Sequence, residues 1–109
     1  MSITNSGNVG IGTDQPNVDA ALHLHVQNEK GFLVTGSTNG FNTYPDLGAG
    51  SRMMFYPGKG AFRAGMVTGT GWNNASVGLY SVGMGLNTTA SGGYSTALGS
   101  STIASGPIS

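Results

Sequence analysis

The chain has 109 residues with four basic and four acidic side chains, so its formal net charge is zero, and it contains no cysteine. Charged residues make up 7% of the chain, whereas about 25% is usual for a globular domain. We therefore expect no nucleic-acid partner, because phosphate binding requires a basic face. Absence of cysteine excludes a disulfide framework. No apolar run approaches the ~18 residues of a membrane helix, so we expect no membrane insertion.

Residues 1–28 are expected to form an N-terminal β-module. Residues 3–12 alternate weakly around glycines, and 14–17 have the composition of a turn. Residues 20–26 alternate strictly between apolar side chains and histidines, which predicts a strand. The apolar face of this strand, expected to be buried, carries Leu22, Leu24 and Val26. The opposite face, expected to face solvent, carries His23 and His25.

Residues 29–80 are expected to form a hairpin-rich middle section, which is the candidate for a globular knob. A strand is predicted at 32–36 and a loop at 37–50, whose length is typical of a binding segment. Residues 51–57 and 61–67 then read as two strands of a hairpin joined by a glycine-rich turn. On the second strand we expect Phe62 to share a face with Ala64 and Met66, opposite Arg63.

Aromatic and arginine side chains are concentrated in this middle section, and such residues carry contacts to carbohydrates and proteins. The candidate binding residues are Tyr44, Arg52, Tyr56, Arg63 and Trp72. The alternative is that the aromatic residues form the core of the section, which we favour for Phe55 and Phe62 and leave open for Tyr44, Tyr56 and Trp72.

Residues 81–109 contain two copies of a 14-residue unit. The matching pairs are Ser81/Ser95, Gly85/Gly99, Thr88/Thr102, Ala90/Ala104, Ser91/Ser105 and Gly92/Gly106. A fixed short period predicts a stacked architecture in which each unit packs only against its neighbours. The period is too short for a helical hairpin but accommodates two short strands and two tight turns.

The repeat resembles the head repeats of trimeric autotransporter adhesins, whose pattern runs Ser-x-Ala-x-Gly-x-x-Thr-x-Ala-Ser-Gly and which also occur in phage and phage-like tail fibres. The resemblance implies a parallel left-handed β-roll in a homotrimer. It rests on the repeat residues Ser81, Gly85, Ala90, Gly92, Ser95, Gly99, Ala104 and Gly106. Gly83 departs from the pattern, which has alanine there. The string Gly-Asn-Val-Gly-Ile-Gly-Thr at 7–13, followed by Leu-His-Val at 24–26, likewise resembles a module of tail fibres and bacterial surface proteins.

The only metal-like spacing is His23-x-His25, which a threefold axis would multiply into six imidazoles. We favour instead a pair of solvent-facing histidines and expect no cofactor. The acidic residues all lie in or beside predicted turns, and nothing in the sequence pairs two of them for acid–base catalysis. No catalytic site is expected, so the chain is not expected to be an enzyme.

Together these patterns predict an all-β, elongated homotrimer with N-terminal β-elements, a hairpin-rich middle section and a β-roll. The expected function is that of a tail-fibre segment of a phage or contractile injection particle, attaching to a cell-surface glycan or protein. The expected location is an extracellular particle assembled in the cytoplasm. The alternative is a trimeric adhesin head on a bacterial surface. A fibre-borne glycan depolymerase is less favoured, because the sequence offers no carboxylate pair. An ice-binding solenoid is less favoured as well, because the motif Thr-x-Thr does not recur.

Overall fold

The structure is a computed structural model, and it describes residues 1–37 and 44–109. Within those ranges the regular structure is β-strand apart from one short 3-10 helix, Asn74–Ser76, so the predicted all-β class is confirmed. The chain divides into two compact units, Met1–Leu33 and Val34–Ser109. No helix of the described part has the length and apolarity needed to cross a membrane.

The first unit contains a three-stranded sheet of short strands. β1 (Ser2–Ile3) runs antiparallel to β2 (Val9–Ile11), and β2 runs parallel to β3 (Leu22–Leu24). Gly12 must be glycine in this arrangement, because its φ is +81° and a Cβ there would lie 2.0 Å from the carbonyl oxygen of His25.

The faces of β3 are the reverse of those that the alternation predicted. His23 is half-buried, and its Nδ1 accepts a hydrogen bond of 3.0 Å from the backbone N–H of Asn17. The apolar side chains are the exposed ones: Leu22 at 59%, Leu24 at 36% and Val26 at 45%. The loop that carries Asn17 packs on the imidazole of His23, so the predicted choice of buried face is wrong for β3, whereas His25, just after the strand, is exposed as predicted.

The second unit begins with the predicted hairpin. β4 (Gly50–Tyr56) and β5 (Ala61–Val67) are antiparallel, with Phe55 opposite Phe62. Their predicted positions, 51–57 and 61–67, agree with the structure to one residue.

The repeat continues the same sheet. β6 (Val82–Leu86) pairs in parallel with β5 and with β8 (Thr96–Ser100), which gives the strand order β4-β5-β6-β8. A second, two-stranded sheet consists of β7 (Thr89–Ala90) and β9 (Ile103–Ala104), also parallel. Residues paired between β6 and β8, and between β7 and β9, are 14 positions apart, so the sequence period is the step between these coils.

Two expectations about the middle section need correction. Residues 32–36 form no strand, and the predicted loop at 37–50 lies partly outside the described residues. The proposed boundary at 80/81 falls inside one compact unit, because backbone hydrogen bonds between β5 and β6 join the middle section to the repeat.

Each part of the second unit has its own small core. The hairpin packs against the segment that follows it, with a buried cluster of Met54, Tyr56, Ala61, Val67, Trp72 and Val77. Between the sheets of the repeat lies a cluster of three alanines, Ala90, Ala97 and Ala104. The interior of the coils is therefore narrow, since it accommodates one methyl group at each of these positions.

Candidate interaction surface

Glycines allow the coils of the repeat to approach each other closely. A Cβ on Gly78 would lie 2.1 Å from the carbonyl oxygen of Gly92, and a Cβ on Gly92 would lie 2.1 Å from that of Gly106. Likewise, a Cβ on Gly85, whose φ is +121°, would lie 2.0 Å from the carbonyl oxygen of Gly99. Any side chain at these positions would push neighbouring coils apart.

The serines of the repeat close each corner with the same hydrogen bond. Ser81 Oγ donates to the carbonyl oxygen of Gly78 at 2.7 Å, and Ser95 Oγ donates to that of Gly92 at 2.6 Å. Ser109 makes the equivalent bond to Gly106. Ser81 and Ser95 are fully buried, so each bond satisfies a hydroxyl that would otherwise be costly to bury.

An earlier coil precedes the two visible copies, and the sequence shows it only as a half-matching segment at 74–78. Gly65 is in register with Gly85, and Gly78 is in register with Gly92. The left-handed backbone corner also recurs, at Gly60, Tyr80, Tyr94 and Ile108, with φ between +55° and +60°. This first coil is six residues longer than the others, and the extra residues include Trp72. The insertion hid the copy, although Gly78/Gly92/Gly106 was a visible signal.

Arg63 closes the narrow interior at the hairpin end of the coils. Its side chain is fully buried, and its guanidinium donates to four neutral oxygen atoms. Nη1 contacts the carbonyl oxygens of Phe62 (2.9 Å) and Ser81 (3.1 Å), and Nη2 contacts Ser81 Oγ (2.9 Å) and the carbonyl oxygen of Ala90 (3.0 Å). Burial lowers the pKa of Arg63 to about 10, so the side chain remains charged at neutral pH.

The position of Arg63 explains why the repeat departs from its pattern at Gly83. Arg63, Gly83 and Ala97 occupy equivalent inward positions on β5, β6 and β8. A Cβ on Gly83 would lie 3.0 Å from Arg63 Cδ, 3.1 Å from its Nε and 3.2 Å from Thr88 Oγ1. In the next coil, where no arginine intrudes, alanine occupies the position.

The structure brings four of the five candidate binding residues together: Tyr56 and Trp72 in the core, and Tyr44 and Arg52 half-buried against it. Tyr44 stacks on Tyr56 with ring centroids 4.8 Å apart, and the guanidinium of Arg52 lies 5.6 Å from the centre of the Trp72 ring. Tyr56 and Trp72 are each only 2% exposed, and Trp72 Nε1 donates to the carbonyl oxygen of Thr88 at 2.9 Å. Tyr56, Trp72 and Arg63 are buried in the single chain and support the fold. For the half-buried Tyr44 and Arg52, the binding role stays a prediction.

A polar group beside this core holds the segment after the hairpin in place. Lys59 Nζ donates to the carbonyl oxygens of Asn74 (2.6 Å) and Val77 (2.9 Å), while the Tyr56 hydroxyl donates to Asn74 Oδ1. Burial, followed by the charge of Arg63, lowers the pKa of Lys59. Burial is also the main cause that raises the pKa of Tyr56, and the carboxylate of Asp46 adds to it.

The imidazole rings of His23 and His25 lie apart from each other. Their ring centroids are 6.4 Å apart and nearly perpendicular. An open cleft beside His25 contains one carboxylate, that of Asp14. Nowhere in ranges 1–37 and 44–109 do three histidine, cysteine, aspartate or glutamate side chains come together as metal ligands would.

The large apolar side chains of the repeat point outward from the four-stranded sheet. Three cross-strand rows form this outer face, which we call the outer sheet face: Phe55–Phe62–Val82–Thr96, Met53–Ala64–Met84–Leu98 and Ser51–Met66–Leu86–Ser100. Nine of the twelve side chains are apolar and none is charged. Met53 is 68% exposed, Leu98 56% and Met84 42%. Phe55 and Phe62, which were expected in the core, belong to this face.

Comparison with known proteins gives no relative: no family model, no curated protein and no solved structure matches the chain.

Proposed function

We propose that the chain is a segment of a homotrimeric tail fibre of a phage or contractile injection particle, which attaches the particle to a glycan or protein on a cell surface. The observation that carries this proposal is the parallel 14-residue register, with Val82 opposite Thr96 and Thr89 opposite Ile103. Such a register adds one coil per repeat and favours an extended element over a compact domain. In this proposal the coils form a left-handed β-roll, as the resemblance to adhesin head repeats implies.

The size of the interior supports a shared core. Between the sheets of the repeat, one chain buries three alanine side chains, and each methyl group contributes about 0.8 kcal/mol. Ordering a single residue costs about 1–2 kcal/mol of backbone entropy. Three chains that cover one another's apolar surface would supply the burial that a single chain lacks.

Attachment in this proposal depends on multiplicity and not on a deep catalytic pocket. One rigid fibre carries three copies of a weak site. Once one copy binds a surface that carries many receptors, the other two are held close to further receptors, which raises their effective concentration. The chain then needs no cofactor and has no enzymatic activity. The alternative function in the same class is a trimeric adhesin head on a bacterial surface, which would use the same coils and the same form of binding.

The mass of the chain in solution is the first test, measured by light scattering after gel filtration. A mass near three times 11.0 kDa, with early elution for that mass, is the expected result. A compact species of 11.0 kDa would contradict the trimer. Binding of the trimer to a glycan array and to whole bacterial cells then tests attachment. Hydrolysis of a bound glycan would instead favour a depolymerase.

A further inference from the structure

The four tyrosines of the chain form two stacked pairs that differ in exposure. Tyr80 and Tyr94 stack with ring centroids 5.3 Å apart and ring planes inclined by 28°. Tyr44 and Tyr56 stack at 4.8 Å and 27°. Tyr56 is only 2% exposed, whereas Tyr80 is 47% and Tyr94 63% exposed. The chain therefore carries nearly the same ring geometry twice, once packed against the core and once open to solvent.

The exposed pair lies at the left-handed corner of two successive coils. Tyr80 has a φ of +55° and Tyr94 a φ of +58°, a conformation that is unfavourable for a residue with a bulky side chain. The same corner carries Gly60 before them and Ile108 after them, so its backbone does not require tyrosine. The rings are exposed and contribute little to the core. Neither the backbone nor the core accounts for two tyrosines here, and the property that they share is the phenol.

Backbone hydrogen bonds hold the two phenols side by side. The N–H of Tyr94 donates to the carbonyl oxygen of Leu79 at 2.8 Å, and the N–H of Val82 donates to that of Ser95 at 3.0 Å. These bonds join the two coils on either side of the ring pair, so the backbones that carry the rings stay together. The exposed rings themselves turn about their side-chain torsions within nanoseconds. A radical formed on one phenol is therefore always within reach of the other.

We propose that Tyr80 and Tyr94 are an oxidative cross-linking site, at which a one-electron oxidant joins two adjacent coils through a carbon–carbon bond. Each phenol gives up one electron and one proton, and the two radicals couple between ring carbons next to the oxygen-bearing carbons. The hydrogen on each coupled carbon then moves to the neighbouring oxygen, which restores both phenols. The pair loses two hydrogen atoms overall. With a haem peroxidase as oxidant, these electrons and protons pass to hydrogen peroxide, which becomes two molecules of water.

The cross-link fastens coils that packing alone holds weakly. Between its sheets the repeat buries only the three alanines Ala90, Ala97 and Ala104, and the chain has no cysteine with which to form a disulfide. A bond between Tyr80 and Tyr94 closes a loop of 15 residues. A disulfide that closes a loop of this length lowers the unfolding equilibrium constant by about a hundredfold, because it restricts the unfolded chain. The proposal goes beyond the proposed attachment function and does not depend on the oligomeric state.

The experiment is treatment of the intact chain with a haem peroxidase and limiting hydrogen peroxide, followed by mass measurement of the denatured chain and peptide mass spectrometry. The expected product is a single chain of 11.0 kDa that has lost two hydrogen atoms and whose cross-linked peptides contain Tyr80 and Tyr94. It should exceed cross-links between chains by about tenfold or more, since the two rings have a high effective concentration for each other. Cross-links mainly between chains, cross-links mainly at Tyr44 and Tyr56, or no cross-link at all would each overturn the proposal.

Two matched variants supply the second arm. Tyr94→Phe keeps an exposed ring but removes its phenol, and should abolish the cross-link, whereas Tyr44→Phe makes the same change in the other pair and should cross-link like the wild-type chain. Urea unfolding then measures the fastening of the coils. The unfolding equilibrium constant of the cross-linked chain should be about a hundredfold lower than that of the untreated chain, and peroxidase treatment of Tyr94→Phe should leave it unchanged. A cross-linked chain that unfolds as easily as treated Tyr94→Phe would refute the fastening.

Discussion

Gly92→Ala tests the stacking of the coils, and Gly106→Ala is its matched control. Both glycines occupy the same position of the repeat, and neither has a positive φ. A Cβ on Gly92 would lie 2.1 Å from the carbonyl oxygen of Gly106, whereas a Cβ on Gly106 has no atom within 4 Å. The two substitutions are chemically identical and differ only in whether another coil lies against the new methyl group.

The size of the effect follows from the contact. Relieving a 2.1 Å approach requires the coils to separate by about 1 Å, which costs on the order of 1–3 kcal/mol in overpacking strain. The backbone bond from Gly92 N to the carbonyl oxygen of Ala104, at 3.1 Å, would weaken too and add about 1 kcal/mol. We therefore expect Gly92→Ala to lower the free energy of unfolding by about 2–4 kcal/mol, a large part of the total for a small domain.

Gly106→Ala should change stability by less than about 1 kcal/mol, and in the favourable direction, because alanine restricts the unfolded chain. Urea unfolding measures both variants, with circular dichroism for the strands. Fluorescence of Trp72, the single tryptophan of the chain, reports the core in the same compact unit. Equal unfolding free energies for the two variants, within about 0.5 kcal/mol, would refute the stacking at Gly92.

Two further predictions concern the buried polar side chains. Gly83→Ala should destabilise the wild-type chain by about 1–3 kcal/mol, but it should be neutral or favourable when Arg63 is replaced by alanine. A double-mutant cycle of unfolding free energies measures this coupling. If the effects of the two substitutions simply add, the contact between Gly83 and Arg63 is contradicted. Tyr56→Phe should cost about 1 kcal/mol near neutral pH, because the hydroxyl bonds Asn74. Since burial raises the pKa of Tyr56, the unfolded chain releases this proton first as pH rises above about 10, and the stability advantage of tyrosine over phenylalanine should shrink there. Unfolding titrations of both proteins at pH 8 and pH 10.5 measure the difference, and an unchanged advantage would contradict the burial.

The periodicity of the sequence was sufficient for the hairpin and the coil step, although it also predicted a strand at 32–36 that does not form. The hairpin strands were predicted to within one residue, because alternation and a glycine-rich turn are local signals. The 14-residue shift equals the register of the parallel pairs β6/β8 and β7/β9. Arg63 was assigned to the wrong environment, because a charged residue is rarely buried without an acidic partner. Only the four oxygen atoms supplied by Phe62, Ser81 and Ala90 make its burial acceptable.

The sequence by itself determined the all-β class, the hairpin and the phase of the repeat, since each depends on residues that are close along the chain or recur at a fixed interval. Only the tertiary structure decided which face of each strand is covered. Alternation defines two faces, but the covering element selects between them. The segment carrying Trp72 buries Tyr56, and the loop carrying Asn17 packs on the His23 side of β3. As a result, the large apolar side chains of the repeat are left on the outside of the single chain.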